Sequence, residues 1–284
     1  MNAAPFPYFG GKYRLLPYLT NYVSRTIDTY VEPFFGSGTL FFSAPHWAEN
    51  EVINDLNGDI YNFFYCLRNH YPKLKHLIKY TPYDVQTFLH ARDLIKDQSD
   101  TNKIKRAWAL YILLQQSVMA NRRNFSRGSN GSNLPKEFMR AKNGLDYCAE
   151  RLQSVTIENE DALKVCRRYD NYKTFIYLDP PYLNVRNKKD MEKVYHNTVP
   201  SEKMHIELLE WALSAKGLVL ISNYHNPIYD ELLRDWHAEE IELFVNHGSG
   251  SRGKEQKSTK AIEVLWSNEK CYQAKIKQPP LLSF

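Results

Sequence analysis

The 284-residue sequence has few of the residues that mark metal-binding, disulfide-rich or membrane proteins. Its four cysteines lie far apart and form no CxxC pair: Cys66, Cys148, Cys166 and Cys271. This spacing predicts buried free thiols and excludes a zinc finger. The nine histidines form no HExxH-type pattern, so we expect no bound metal. The chain has no apolar run near the roughly 20 residues that cross a bilayer, and no secretory signal, which predicts a cytoplasmic protein without a membrane partner.

Positive charge is modest overall but unevenly distributed. The formal net charge is +5, yet residues 60–150 contain 15 Lys and Arg against 7 Asp and Glu, and the remainder contains 22 against 25. A basic segment within a slightly acidic chain suggests that one part meets a polyanion while another part has a different task. A solvated helix surface is the plain alternative.

The order of the expected strands and helices indicates an α/β fold. Strands and helices alternate in the first 59 residues and again after residue 150, which is typical of a doubly wound parallel sheet. Between these parts the apolar spacing is helical, around a polar, glycine-bearing segment at residues 121–135. We therefore predict one α/β domain from residues 1–59 and 151–284, interrupted by a mostly helical, basic insertion at residues 60–150.

The same spacing places the individual elements. Strands are predicted at Thr29–Glu32, residues 51–54, residues 155–158, Thr174–Leu178 and residues 217–222, with a closing antiparallel pair at residues 241–246 and 261–266. Helices are predicted at residues 11–25, 38–47, 57–70, 136–152 and 201–215.

The motif Asp179-Pro180-Pro181-Tyr182 directly follows the predicted strand FIYL. A carboxylate at the carboxyl end of a parallel strand lies at the edge where open α/β sheets bind ligands. The prolines remove two backbone donors and leave the Pro180 carbonyl free to accept a hydrogen bond. Asp179 and this carbonyl suit the two hydrogens of an amino group on a planar ring, on which Tyr182 would stack. A turn that only ends a strand is the alternative.

A second motif, EPFFGSG at residues 32–38, also lies between a predicted strand and a predicted helix. Glycines at such a turn let the backbone approach a ligand closely. The next strand ends in Asn54-Asp55, and an acid at this distance can hold ribose hydroxyls. Nicotinamide dinucleotides and methionine nucleosides both fit this arrangement, so this motif alone does not choose between them.

Taken together, eight segments of the chain resemble the Dam-like (D12 class) adenine-N6 DNA methyltransferases, in the order that places the cofactor motifs before DPPY. They are PYFGGKYRLLPYL, VEPFFGSGTLFF, INDLNGDIYNFF, NEDAL, FIYLDPPY, VYHNTVPSEKMHIELL, LVLISNY and AIEVLWSN. The resemblance implies a Rossmann-like sheet that binds S-adenosyl-L-methionine, with the insertion as the DNA target-recognition domain. It also implies a prokaryotic or phage-encoded protein.

The resemblance assigns roles to residues that match the family's motifs. Asp179, Pro180, Pro181 and Tyr182 would be catalytic. Cofactor-binding residues would be Tyr8, Gly11, Lys12, Glu32, Pro33, Phe34, Phe35, Gly36, Ser37, Gly38, Asp55, Leu56, Asp161, Ala162 and Asp179. Phe34 and Gly36 would line the methionine end, Asp55 would bind the ribose, and Asp161 would reach the adenosyl amino group. Tyr8 stands where the family usually has Trp, and Glu160 where it commonly has Gly.

Residues that would contact double-stranded DNA lie in the insertion and in the loop after DPPY: Arg122, Arg123, Asn124, Arg127, Asn130, Lys136, Arg186 and Lys188. Arg reads guanine edges, Asn reads adenine, and basic residues also grip phosphates. The segment RGSNGSNLPKEF replaces the family's more regular hairpin pattern, so the target sequence is not carried over. Residues 249–260 are expected to line the DNA cleft from the other side.

The expected reaction is direct, in-line methyl transfer to adenine N6 after the nucleotide swings out of the duplex. Cytosine-N4 methylation is the first alternative, although enzymes of that kind tend to have Ser in place of Asp179. A methyltransferase acting on RNA or on protein glutamine would use a similar tetrapeptide, usually with Asn first. A catalytically silent DNA-binding protein on the same scaffold is the alternative from another class. The sequence leaves the oligomeric state, the recognition site and any restriction partner open.

Overall fold

Seven strands form the centre of the protein in a computed structural model that describes residues 4–8, 11–97, 99, 101–128, 132–183, 201–246 and 258–278. They are β1 (Thr29–Glu32), β2 (Asn50–Asn54), β3 (Thr156–Glu158), β4 (Thr174–Leu178), β5 (Leu218–Tyr224), β6 (His237–Asn246) and β7 (Ser258–Ser267). All seven lie in one sheet in the order β3-β2-β1-β4-β5-β7-β6.

The sheet is parallel from β3 to β5 and antiparallel at β7, which pairs with both β5 and β6. The chain runs outward from β1 through β2 to β3, then returns to pair β4 with the other side of β1. This reversal is a topological switch point, and open sheets bind their ligands outside the carboxyl ends of the strands there. The predicted α/β class and the antiparallel closing pair are confirmed.

Helices cover the sheet and fill the interval between β2 and β3. Among the described residues they are α1 (Leu16–Leu19), α2 (Gly58–Asn69), α3 (Tyr71–Lys79), α4 (Val85–Lys96), α5 (Lys103–Gln116), α6 (Leu134–Asn143), α7 (Leu145–Arg151), α8 (Ala162–Tyr169), α9 (Glu202–Ser214), α10 (Pro227–Leu232) and α11 (Glu269–Lys277). Side-chain caps at Asn57, Asp84 and Asn102 begin α2, α4 and α5 by accepting from backbone N–H groups.

The predicted helix at residues 38–47 is wrong, because the structure has only a short 3-10 turn there, Phe41–Ser43. The sequence pattern of apolar residues is real, but it serves a compact aromatic cluster: Phe41 lies 5.5 Å from Phe35 and 4.9 Å from Phe42, centroid to centroid. The Ser43 hydroxyl donates to the Leu40 carbonyl and Pro45 follows, so the turn does not continue as a helix.

Two other predicted helices are shorter than expected. Residues 11–25 form α1 flanked by the 3-10 turns Tyr13–Leu15 and Thr20–Tyr22, since Pro17 lacks the N–H that a long helix would use. Residues 136–152 are divided at Gly144 into α6 and α7.

The hydrophobic core lies on both faces of the sheet. One face continues without interruption into the insertion, where the rings of Phe63 on α2 and Tyr111 on α5 stack at 6.0 Å. The other face packs against α9, with Ile176, Leu209 and Val219 fully buried. A continuous core across the first face means that the insertion is held rigidly against the sheet, which fixes how its loops approach the switch point.

Candidate active site

The carboxyl ends of β1 and β4 open into a cavity of about 450 Å³. Of the predicted catalytic and cofactor-binding residues, all except Gly38 line this cavity. Segments more than 150 residues apart in the sequence therefore meet at the switch point. Lining residues that the sequence analysis did not single out include Thr39, Asn57, Tyr177, Met204, Glu207 and Tyr224.

The glycine turn after β1 has the conformation that requires glycine. Gly36 and Gly38 have φ values of 52° and 67°, a region that other residues rarely adopt. A Cβ on Gly36 would lie 3.0 Å from the Tyr8 ring, and one on Gly38 would lie 2.3 Å from the Phe35 ring. The turn thus brings bare backbone to the cavity wall, and side chains on either glycine would displace the aromatic rings beside it.

Asp55 lies at the end of β2, where backbone N–H groups hold its carboxylate. Gly36 N–H donates to Oδ2 at 2.9 Å and Asn57 N–H donates to Oδ1 at 2.8 Å. Burial raises the pKa of Asp55 to about 6, and these two N–H groups and the charge of Arg122 oppose that rise. Because each carboxylate oxygen accepts more than one hydrogen bond, the group can also receive hydroxyls from the cavity.

Asn54, the residue before Asp55, joins the ends of three strands. Its Nδ2 donates to the carbonyls of Pro33 at 2.9 Å and Glu160 at 3.1 Å, and its Oδ1 accepts from Glu160 N–H at 2.8 Å. Asp161, next in the chain, caps α8 by accepting from the N–H groups of Leu163 and Lys164, both at 3.1 Å. Asn54 was not predicted as a site residue, since its role depends on contacts between the ends of β1, β2 and β3.

At the opposite end of the cavity, Asp179 is 22% exposed and has two polar neighbours. Lys12 Nζ lies 2.9 Å from Asp179 Oδ1, and the Ser222 hydroxyl donates to the same oxygen at 3.1 Å. The Tyr177 hydroxyl lies 2.9 Å from the Ser222 hydroxyl. Lys12, expected to contact the cofactor, is thus placed against the motif carboxylate, and Ser222 and Tyr177 orient that carboxylate from β5 and β4.

A second buried acid, Glu263 on β7, belongs to the same cluster. It accepts a hydrogen bond from the Tyr182 hydroxyl, and its Oε1 lies 3.4 Å from Lys12 Nζ. Burial raises the pKa of Glu263, and the charge of Lys12 opposes this rise. Glu263 opposes Tyr224 in the antiparallel register between β5 and β7. Sequence reasoning missed it because AIEVLWSN indicates only a strand.

Glu32, at the end of β1, is a third buried acid along the cavity. The Tyr30 hydroxyl donates to it, while burial raises its pKa to about 8 and the charge of Asp179 adds to the rise. Burial thus favours the protonated form of Glu32, which lessens the negative charge beside Asp179.

The residues predicted to contact DNA fall into two groups. Arg123, Asn124, Arg127 and Lys136 are exposed on the insertion. Arg122 is only 6% exposed, and its charge lowers the pKa of Asp55. Asn130, Arg186 and Lys188 lie outside the described residues, as do most of the loop after DPPY and residues 249–257.

The segment that presents these residues is conformationally strained. Met119, Ala120 and Arg122 have φ values of 50°, 55° and 58°, although none is glycine. Ser117 and Phe125 form an isolated bridge across the segment, and the Ser117 hydroxyl accepts from Arg122 N–H at 3.0 Å. Strained backbone of this kind persists where the surrounding structure holds it, and it clusters at functional sites.

The cysteines and the acidic and histidine side chains can be located on the described residues. All four cysteines are buried and free. Within this part of the chain, no group of three or more His, Cys, Asp or Glu is placed to hold a metal ion. Among its helices, none is both long and apolar enough to cross a membrane.

The sheet order, the glycine turn with its following acid, and the DPPY cluster at the switch point define a Rossmann-like methyltransferase. Residues 8–246 match the family of D12 class N6 adenine-specific DNA methyltransferases. The chain belongs to this family, and it is a site-specific adenine DNA methyltransferase that uses a methyl donor.

Three relatives agree with this family. The type II methyltransferase M1.LlaDCHI of Lactococcus lactis subsp. cremoris is 27% identical over 276 residues, covering 89% of this chain and 93% of the relative. The type II methyltransferase M.CviBI of Paramecium bursaria Chlorella virus NC1A is 24% identical over 181 residues, covering 62% and 67%. The modification methylase StsI of Streptococcus sanguinis is 24% identical over 291 residues, covering 93% of this chain and 42% of that protein.

Proposed function

We propose that the methyl donor is S-adenosyl-L-methionine and that it lies in the cavity between the glycine turn and Asp55. The lining residues fit this group: Asp55 can accept from ribose hydroxyls, and Gly36 lets the Tyr8 ring lie directly against the backbone of the turn, beside Asp55 in the cavity wall. Phe34 would line the methionine end, and Asp161 would reach the adenosyl amino group. When bound, the cofactor supplies a methyl group on a sulfonium centre.

The target amine would be held at the other end of the same cavity. Asp179 and the Pro180 carbonyl each accept one hydrogen of adenine N6, and the Tyr182 ring stacks on the base. The N6 lone pair is delocalised into the ring, so two acceptors favour its pyramidal form and stabilise the positive charge that develops on nitrogen. Positioning of this kind can lower the activation barrier by roughly 7–11 kcal/mol. The proton then leaves an already cationic nitrogen, which requires no strong base.

Base flipping brings double-stranded DNA to this cavity. Adenine in a stacked duplex cannot reach Asp179, so the nucleotide rotates out of the helix, at a cost of a few kcal/mol.

Residues 60–150 would be the target-recognition domain and residues 1–59 and 151–284 the catalytic domain. The exposed residues Arg123, Asn124, Arg127 and Lys136 would meet the duplex, with Asn130, Arg186 and Lys188 added from outside the described residues. A cytoplasmic location stays a prediction from the sequence.

The observation that carries this function is that Asp55 and Asp179 line one cavity at the switch point. Sequencing of genomic DNA with a readout of modified bases, from cells that express the protein, tests it directly. We expect N6-methyladenine at one short sequence context, which would also identify the recognition site. Cells that express Asp179→Ala are the matched control and should lack the mark. Methylation confined to cytosine, or to no DNA base, would contradict the proposal.

A further inference from the structure

Glu263 lies behind the catalytic motif and contacts two of the residues around it. Glu263 is 4% exposed, and its carboxyl group accepts from the Tyr182 hydroxyl and lies 3.4 Å from Lys12 Nζ. Lys12 in turn lies 2.9 Å from Asp179 and 4.7 Å from the centroid of the Tyr182 ring. Glu263 is therefore linked through Lys12 to Asp179, which is proposed to accept a hydrogen bond from the amine, and directly to Tyr182, which is proposed to stack on the base.

A buried acid in this position is costly for folding. Taking a carboxylate out of water carries a penalty of several kcal/mol, and replacing a buried ion pair with apolar residues is often neutral or stabilising. Asp179 stands nearby with the same sign of charge, which raises the cost further. Stability alone does not explain Glu263, whereas control of its two partners does.

The contacts of the Tyr182 ring show what is controlled. Glu263 holds the hydroxyl, Lys12 lies over the ring, and Tyr224 meets the ring at 4.9 Å with an interplanar angle of 71°. These three contacts fix the plane of the ring. A ring that stacks on an extruded base is useful only in one plane, since the base must meet the methyl donor in line.

Lys12 is shared between two acids. Its ammonium group pairs with Oδ1 of Asp179, the carboxylate that is proposed to accept an amine hydrogen. Glu263 offers the ammonium a second partner, so Lys12 can loosen its hold on Asp179 when the amine arrives without becoming an unpaired buried charge.

We propose that Glu263 is a positioning residue for methyl transfer. It fixes the plane of the Tyr182 ring by accepting a hydrogen bond from the Tyr182 hydroxyl, and it gives Lys12 a second acid partner besides Asp179. This role rests on the function proposed for Asp179 and Tyr182. It adds a residue from β7, outside both sequence motifs, to the machinery that holds the target adenine.

The protein contains a matched control for this cluster. Glu239 on β6 accepts from the Tyr22 hydroxyl at 2.6 Å and from Lys275 Nζ at 2.5 Å, and Lys275 lies 4.0 Å from the centroid of the Tyr22 ring. The same three residue types thus make the same contacts around Glu239, whose side chain is 35% exposed against 6% for that of Glu263. Glu239, Tyr22 and Lys275 do not line the cavity.

The test compares Glu263→Gln, Tyr182→Phe and their double variant with Glu239→Gln, using full-length protein and a duplex that contains the methylated site. Single-turnover methyl transfer, cofactor affinity, DNA affinity and the fluorescence of 2-aminopurine at the target position are measured. We expect Glu263→Gln to slow transfer by roughly 10- to 100-fold with little change in either affinity. The double variant should be less impaired than the product of the two single effects.

The fluorescence reports the position of the base without requiring turnover. Stacking on a fixed Tyr182 ring should quench 2-aminopurine in the wild type, and emission should rise in Glu263→Gln and Tyr182→Phe. Glu239→Gln should match the wild type in rate and emission. Wild-type transfer by Glu263→Gln, an equal loss in Glu239→Gln, or independent effects in the double variant would overturn the role of Glu263.

The test does not depend on a single variant, and its failure is distinct from failure of the proposed function. If Glu263→Gln does not fold, Tyr182→Phe still decides, because it removes only the hydroxyl, and wild-type rate and emission in that variant would refute the role. If the wild-type protein forms no N6-methyladenine, the proposed function fails first. If the wild type is active and Glu263→Gln transfers methyl groups at the same rate, only the positioning role is overturned.

Discussion

The two ends of the cavity hold their carboxylates in different ways. Asp55 accepts from the backbone N–H groups of Gly36 and Asn57, and burial raises its pKa to about 6. Asp179 pairs with the ammonium group of Lys12 and accepts from Ser222, with Glu263 beside them. One carboxylate is thus fixed by immobile amides, and the other by a lysine that has an alternative partner.

This difference matches the two tasks that we propose. Ribose hydroxyls are neutral, so Asp55 needs only fixed acceptor geometry, which backbone amides provide at little entropic cost. Adenine N6 gains positive charge during the reaction, so Asp179 must present a negative charge to it. This requires that Lys12, the counterion of Asp179, can weaken its own contact with the carboxylate. The Asp55 end should therefore control binding, and the Asp179 end should control the rate.

Asp179→Ala should give the largest effect. Loss of one of two amine acceptors should reduce single-turnover methylation by at least about 1000-fold, because the acceptor stabilises charge that exists only in the transition state. Cofactor affinity, measured by calorimetry, should change little. Ser222→Ala, which removes only the hydroxyl donor to Asp179, is a milder matched variant. Turnover by Asp179→Ala at the wild-type rate would discard the mechanism.

Asp55→Ala should show the converse behaviour. Two hydrogen bonds from ribose to a charged acceptor contribute roughly 1.5–3 kcal/mol each, so the dissociation constant of the cofactor should rise by at least about 100-fold. The single-turnover rate at saturating cofactor should recover towards the wild-type value. Asp55→Asn keeps the size of the side chain and serves as the control for packing. An unchanged dissociation constant would remove Asp55 from the ribose site.

Cofactor binding should depend on pH in the window set by Asp55. Burial raises the pKa of Asp55 to about 6, and the ionised form accepts hydroxyls best, so affinity should fall as the pH drops through this value, in a window below the one in which Glu32 titrates. Asp55→Asn should remove the dependence in this window. An affinity that rises on acidification would contradict the assignment, because it would require the protonated form to bind.

Substitutions of the neighbours Arg122 and Arg123 should give the smallest effects, and they should distinguish the DNA-binding surface from the cofactor cavity. Arg123 is exposed, so Arg123→Met should weaken DNA binding and reduce the slope of log affinity against log salt by about 1. Arg122 is buried, and Arg122→Met should instead raise the pKa of Asp55 and move the pH dependence of cofactor binding upward. Fluorescence anisotropy and calorimetry measure the two effects. An unaltered salt slope in Arg123→Met would place the DNA surface elsewhere.

Much of the sheet and both motifs could be predicted from the sequence, because local patterns encode them. The buried run Thr174–Leu178 followed by DPPY fixes a strand and its end, and glycines at positive φ mark the turn after β1. The helix at residues 38–47 could not be distinguished from an aromatic turn, since both need closely spaced apolar residues.

Residues whose roles depend on pairing between distant strands were not predictable. Glu263 reaches Tyr182 only through the register that sets it opposite Tyr224, and Ser222 reaches Asp179 only because β5 lies next to β4. Arg122 and Arg123 are adjacent and carry the same charge, yet Arg122 is buried, with φ 58°, and Arg123 is exposed. Local composition carries no information on such contacts.

Analysis of the methylated nucleoside made by purified protein tests the central claim most directly. The protein is incubated with S-adenosyl-L-methionine carrying a labelled methyl group and with duplex DNA of mixed sequence, and the digested nucleosides are separated by mass spectrometry. The cavity described here predicts that the label appears in N6-methyldeoxyadenosine and that Asp179→Ala produces none. Label in another acceptor, with no N6-methyldeoxyadenosine, would contradict the assignment of Asp179 and Tyr182 to a purine amine.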